Sequence, residues 1–129
     1  PYIIYFYPKD DTPGCTKEAI GFTENIKFFN DNNITDIGIY KDTVEKHDKF
    51  INKYNLDVVL GSDVNGEACE SFGVWVEKSM YGRKYMGIER TTFLVSAGGT
   101  IYKIWNKVKV KDHIEDVLKS SREMLQINS

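Results

Sequence analysis

Cysteine is scarce in this 129-residue chain: Cys15 and Cys69 are the only two, beside two histidines and three prolines. Two thiols without a regular framework exclude a disulfide-stapled secreted domain and predict a reducing compartment, the cytoplasm. With the two histidines they also lack the spacing of a zinc site. No apolar run approaches the ~18 residues of a membrane span, and no charged leader with a cleavage site is visible. Charge of one sign is not in excess either, since 17 Lys and Arg face 19 Asp and Glu for a net charge of −2. Without a basic stripe, nucleic acid and anionic membrane surfaces drop out as partners. Repeats, low-complexity tracts and linkers are missing, and the length predicts one domain over 1–129.

What is present is an alternation of short apolar runs and amphipathic stretches. Tyr2 to Tyr7 (YIIYFY) is β-branched and aromatic, a strand buried on both faces. Thr12 follows as a helix N-cap, with Pro13 at the first helical position, where its missing N–H is harmless. Ala19, Phe22, Ile26 and Phe29 recur at spacings of three and four, as on one helix face. A strand over 34–40, a helix over 44–54, a short strand over 58–60 and a brief helix carrying Ala68, Cys69 and Phe72 come next. Residues 77–87 read as a loop, 91–95 and 100–105 as a hairpin around SAGG, and Ile114 to Leu125 as a closing helix. Strands alternating with helices and ending in a hairpin predict an α/β, thioredoxin-like fold: a central mixed β-sheet flanked by helices on both faces.

Chemistry concentrates in YPKDDTPGC, residues 7–15. With Thr12 as cap, Cys15 is the third helical residue, where unpaired backbone N–H groups and the helix dipole favour a thiolate. Ligands of open α/β sheets sit beyond the carboxyl ends of strands, which is where this loop lies. Asp10, Asp11 and Glu18 work against a thiolate by like-charge repulsion. The sulfur therefore needs a fixed cation. Arg90, opening the strand RTTFLV, fits better than the flexible Lys9 or Lys17, and a parallel neighbouring strand would bring it beside Cys15. Glu18, one turn after Cys15, would then hold Arg90.

Pro8, Thr12 and Cys15 form a PxxxTxxC pattern, and YFYPKDDTPGCTKEA, FGVW and KYMGIERTTFL follow one another in order. On these stretches the chain resembles the peroxiredoxins, in particular the bacterioferritin comigratory protein or peroxiredoxin Q subfamily, over nearly its whole length. The resemblance implies reduction of hydrogen peroxide and organic hydroperoxides through a sulfenic acid on Cys15, without metal or organic cofactor. It implies Thr12 and Arg90 as the residues that orient and polarise the peroxide, and Pro8 as the shield of the pocket. The reductant it implies is thioredoxin, glutaredoxin or a small thiol.

The chain departs from that pattern in two places. Many members carry a resolving cysteine five residues after the reactive one, and Ile20 stands there. Five helical residues rise ~7.5 Å, beyond the ~7 Å reach of a disulfide, so such a pair needs local unwinding. A one-cysteine cycle with an external thiol is the expectation. Cys69 is the other candidate resolver, against its simpler reading as a small buried hydrophobe. The family also has an N-terminal hairpin segment before the first strand, whereas this sequence enters the strand at once from Pro1. A monomer is expected, with association where that segment's absence uncovers a sheet edge.

Competing readings are narrower. His47 in EKHDK and His113 read as solvated, and Trp75, Trp105, Met80 and Met86 as packing residues, with Tyr81, Tyr85 and Met86 also read as a wall of the peroxide pocket. A thioredoxin-type dithiol exchange fails because Thr12 occupies the first position of a CxxC. The alternative from another class is a non-catalytic thioredoxin-like redox sensor or binding module acting through Cys15.

Overall fold

The computed structural model describes residues 1–9 and 12–127; Asp10 and Asp11, expected to repel the thiolate, lie outside the described residues. The apolar run at the start forms β1 (Tyr2–Phe6), followed by α1 (Pro13–Glu24), α2 (Ile26–Asp31), β2 (Thr35–Tyr40), α3 (Val44–Tyr54) and β3 (Val59–Ser62). Then come α4 (Glu67–Ser71), β4 (Trp75–Met80), β5 (Arg83–Ile88), β6 (Thr91–Val95), β7 (Ile101–Trp105) and α5 (His113–Ile127).

Five strands form one sheet in the order β3-β2-β1-β6-β7. β1 pairs in parallel with β2, and β2 with β3, while β6 lies antiparallel to both β1 and β7. Two successive crossovers in one direction place the helices between β1 and β3 on the same face, because such connections are right-handed. The pleat then sorts β1 into two cores. Ile3, Tyr5 and Tyr7 pack with Cys15, Phe22, Phe29, Phe50, Val117 and Met124 under α1, α2, α3 and α5. Phe6 points the other way and packs with Cys69, Val74, Ile88 and Phe93. The mixed sheet between helical layers is the expected thioredoxin-like architecture.

Two readings of the sequence are corrected. The segment expected to be a loop over 77–87 is most of a second sheet, the β4–β5 hairpin, turning at Tyr81 and Gly82. Both turn residues have positive φ, 52° and 77°, as a two-residue type I′ turn demands. The histidines expected to be solvated are buried: His47 joins Tyr7 and Tyr40 inside α3, and His113 lies between Phe22 and Trp105.

Asp36 sits in the core at the start of β2, 3% exposed, and neither carboxylate oxygen finds a hydrogen-bond partner among the described residues. Burial, and then the nearby Glu18, push its pKa well above the usual carboxylate range. An unsatisfied buried polar group costs about 1–3 kcal/mol, and valine has similar volume and suits a strand. Asp36→Val is therefore expected to raise stability by about that amount in denaturant titration. A carboxyl with a raised native pKa stabilises least after the pH has passed through that value. The gain should accordingly be larger in alkali than in weak acid, and a destabilised variant at every pH would contradict this.

Candidate active site

The site grows from the end of β1. Tyr7 donates its backbone N–H to Ile39 O and so extends the strand's pairing by one residue, after which Pro8 ends it. Thr12 is the N-cap of α1 with extended backbone (φ −93°, ψ 154°), and its carbonyl accepts the first helical bond from Thr16 N–H at 2.8 Å. Its side chain does not cap the helix. The hydroxyl instead donates to Lys9 O at 2.9 Å, which leaves only lone pairs to face anything else. Pro13 opens the helix, so Gly14 and Cys15 supply the first-turn N–H groups that have no partner within it.

Cys15 is 1% exposed and its sulfur accepts from Arg90 Nη2 at 3.2 Å. Arg90 arrives by a route other than the parallel neighbour expected from sequence. β6 is antiparallel to β1, and the pair Phe6↔Thr91 sets the start of β6 beside the end of β1. Gly14 leaves room for the guanidinium, since a Cβ there would stand 3.1 Å from Arg90 Nη2. The other arm of the fork donates from Nη1 to Glu18 Oε1 at 2.8 Å, so one planar group bridges sulfur and carboxylate.

Glu18 is fully buried, and burial outweighs the charge and hydrogen bond of Arg90, lifting its pKa to about 7. Its second oxygen has no hydrogen-bond partner among the described residues and lies 3.9 Å from His113 Nε2. That approach is not an ion pair at neutral pH. Burial holds His113 down at about 4, Arg90 adding to the effect against an opposing pull from Asp116, and Nε2 shares a 2.9 Å hydrogen bond with Thr92 Oγ1.

Four of the residues picked from sequence, Thr12, Cys15, Glu18 and Arg90, thus meet at the mouth of α1, with Pro8 on the loop before them. Cys69 is elsewhere: fully buried in α4 and in the core on the opposite face of the sheet from Cys15. Its backbone N–H donates to Asp63 Oδ2 at 2.9 Å, and burial followed by the Asp63 carboxylate pushes its thiol up to about 12. Tyr85 and Met86 line a cleft that includes Pro8, whereas Tyr81 is 99% exposed at the hairpin tip. His113 behind Glu18 was missed in the sequence, although its i, i+4 relation to Val117 marks the buried stripe of α5.

Among the described residues, no helix is long and apolar enough to cross a membrane, and no three His, Cys, Asp or Glu side chains gather as metal ligands. A thioredoxin-like sheet presenting a guanidinium-bound sulfur at the first turn of a helix is the framework of a thiol oxidoreductase. Residues 1–104 match the AhpC/TSA family. The putative peroxiredoxin bcp of Coxiella burnetii is 50% identical over 116 residues, 90% of this chain and 77% of that protein. Peroxiredoxin Bcp of Bacillus subtilis is 45% identical over 122 residues, covering 95% and 78% respectively. A solved structure of the Xanthomonas campestris bacterioferritin comigratory protein, described for its alkyl peroxide reduction activity, superposes with a TM-score of 0.91. It shares 40% identity over 95% of this chain and 77% of that one. The chain belongs to the AhpC/TSA family, among the Bcp peroxiredoxins, and is a thiol-dependent peroxidase.

Proposed function

We propose that this peroxidase works through Cys15 alone, reducing hydrogen peroxide and alkyl hydroperoxides and passing the oxidised sulfur to an external thiol. The observation that carries this reading is the 3.2 Å contact between Arg90 Nη2 and Cys15 Sγ. The thiolate attacks the nearer peroxide oxygen, the O–O bond breaks, and water or an alcohol leaves after taking a proton. Cys15 is left as the sulfenic acid.

Thr12 and Arg90 have complementary parts. The Thr12 hydroxyl gives its proton to Lys9 O, so it accepts the hydrogen of the incoming hydroperoxide and holds the O–O bond in line with the attacking sulfur. Arg90 offers further N–H groups beyond the two engaged with Cys15 and Glu18, and these meet the negative charge that develops on the departing oxygen. Pro8, without an N–H, closes the strand end without competing for peroxide.

The single-thiol cycle is supported by where Cys69 lies. Its thiol remains protonated at neutral pH and is separated from Cys15 by the sheet, so it is a poor nucleophile out of reach. Cys69→Ser is expected to keep peroxide turnover with an external thiol within about twofold of wild type, the usual span of a tolerated substitution away from the reacting atoms. Peroxide consumption in a coupled assay measures this. Loss of recycling in a variant that remains folded would return Cys69 to the mechanism.

A further inference from the structure

Once Cys15 carries an oxygen, two electrons must come from outside the chain, and one cleft beside the site has a chemistry of its own. It holds about 480 Å³ and runs from Pro8 along the inner side of the β4–β5 hairpin. Its walls include Trp75, Tyr85 and Met86, and its charged groups among the described residues are Lys9, Lys41 and Lys78, with no carboxylate among the described lining residues. Three ammonium groups gathered on one cleft stand out in a chain whose net charge is −2.

We propose that this cleft seats a low-molecular-weight thiol bearing carboxylates, which reduces the oxidised Cys15. The proposal rests on Cys15 being the oxidised residue and names the class of its reductant.

The lysines are placed rather than merely present. Lys41 Nζ stacks 4.0 Å over the Trp75 ring, and its stem packs against Gly66, where a Cβ would meet Cε at 3.2 Å. Asp63 faces Lys41 from the α4 side and is engaged with the backbone N–H groups of Ala68 and Cys69, so it offsets that charge only in part. Lys78 is half-buried, its stem lying against Gly87. It stands within the electrostatic reach of Arg90, Cys15 and Glu89, which ties the cleft to the sulfur. Burial and then Arg90 lower its pKa, as for an amine whose positive charge is not fully compensated.

The volume suits a molecule of tripeptide size, within the usual range of ligand pockets. The apolar wall takes its stem and the ammonium groups take its carboxylates. Cys15, at 1% exposure, lies deep enough that a slender thiol reaches it with less rearrangement than the loop of a protein reductant. The thiolate attacks the sulfenic sulfur, an S–S bond forms, the S–O bond breaks and hydroxide leaves as water after protonation. A second thiol attacks the mixed disulfide, releasing the external disulfide and the Cys15 thiolate. Two thiols thereby supply the two electrons that the peroxide removed.

The test mixes enzyme already oxidised by one equivalent of hydrogen peroxide with glutathione, glutathione diethyl ester or 2-mercaptoethanol. The second-order rate of thiol return at Cys15 is read for wild type, Lys41→Gln, Lys78→Gln and the double variant. Wild type is expected to favour glutathione over its ester. The double variant should lose about tenfold toward glutathione, as two partly exposed ion pairs would give, and nothing toward the ester or 2-mercaptoethanol. The glutathione advantage should also shrink with added salt. Equal rates for glutathione and its ester in wild type, or equal losses for all three thiols in the variants, would overturn the proposal. So would a lysine effect confined to the oxidation step with a carboxylate-bearing hydroperoxide, since the cleft would then belong to the peroxide. Failure of one equivalent of peroxide to oxidise Cys15 at all is visible before any thiol is added, and would refute the underlying mechanism rather than the cleft's ligand.

Discussion

Cys15→Ser is expected to reduce peroxide consumption to the uncatalysed background, a loss of about a thousandfold or more, as when the nucleophile of a concerted site is removed. The reason lies in the atom rather than in the fold. Serine keeps the size and polarity of the side chain, but its hydroxyl is not ionised near neutral pH and is a weak nucleophile toward a peroxide oxygen. Arg90, Glu18 and the first turn of α1 remain to bind a peroxide that nothing attacks. The comparison must be made with a thermal melt of both proteins, since Cys15 is also part of the core under α1. A folded Cys15→Ser protein that still turns over peroxide with a thiol would remove Cys15 from the chemistry.

Arg90→Met should come second in size, with a loss of about a hundred- to a thousandfold in the rate of oxidation by peroxide, the range for removing a preorganised donor to developing charge. Methionine fills the space of the stem but leaves neither the sulfur nor the departing oxygen with a cation. Arg90→Lys should recover only part of the rate, because a point charge cannot bridge Cys15 and Glu18 as the fork does at 3.2 and 2.8 Å. Stability sets a second readout. Glu18 already titrates at about 7 because burial outweighs Arg90, and removing Arg90 moves it further up. A carboxyl whose native pKa is raised above its unfolded value loses stability as pH rises from the unfolded to the native value. In Arg90→Met that loss extends to higher pH than in wild type. Stopped-flow oxidation gives the rate and denaturant titration at pH 6 and pH 8 the stability. Wild-type oxidation rates in Arg90→Met would show that the guanidinium only holds the fold.

The candidate site was largely legible in the sequence because its parts are local or charge-determined. Thr12, Pro13 and Cys15 occupy successive positions of one helix start, and surrounding acids demanded a permanent cation. The sequence also paired Arg90 with Glu18. It misread the route, because Arg90 reaches Cys15 from an antiparallel strand and spacing carries no strand direction. The β4–β5 hairpin was hidden by its surroundings: exposed on most of its positions, it lacks the apolar alternation of a half-buried strand. Its one local signal was Tyr81–Gly82, and tyrosine is an unusual occupant of a turn position with positive φ. His47 was masked by charged neighbours, although it stands three residues before Phe50 on the buried stripe of α3. Asp36 could not be found at all by pattern, since an acid at an apolar strand position reads as a surface residue until its neighbours are known.

The most direct measurement is the intact mass of wild-type protein after one equivalent of hydrogen peroxide, with peptide mapping of the modified residue. The expected product is one added oxygen on Cys15, trapped by a sulfenic-acid reagent, with Cys69 still a free thiol. An internal Cys15–Cys69 disulfide would contradict the single-thiol cycle, and an unmodified Cys15 would contradict the mechanism itself.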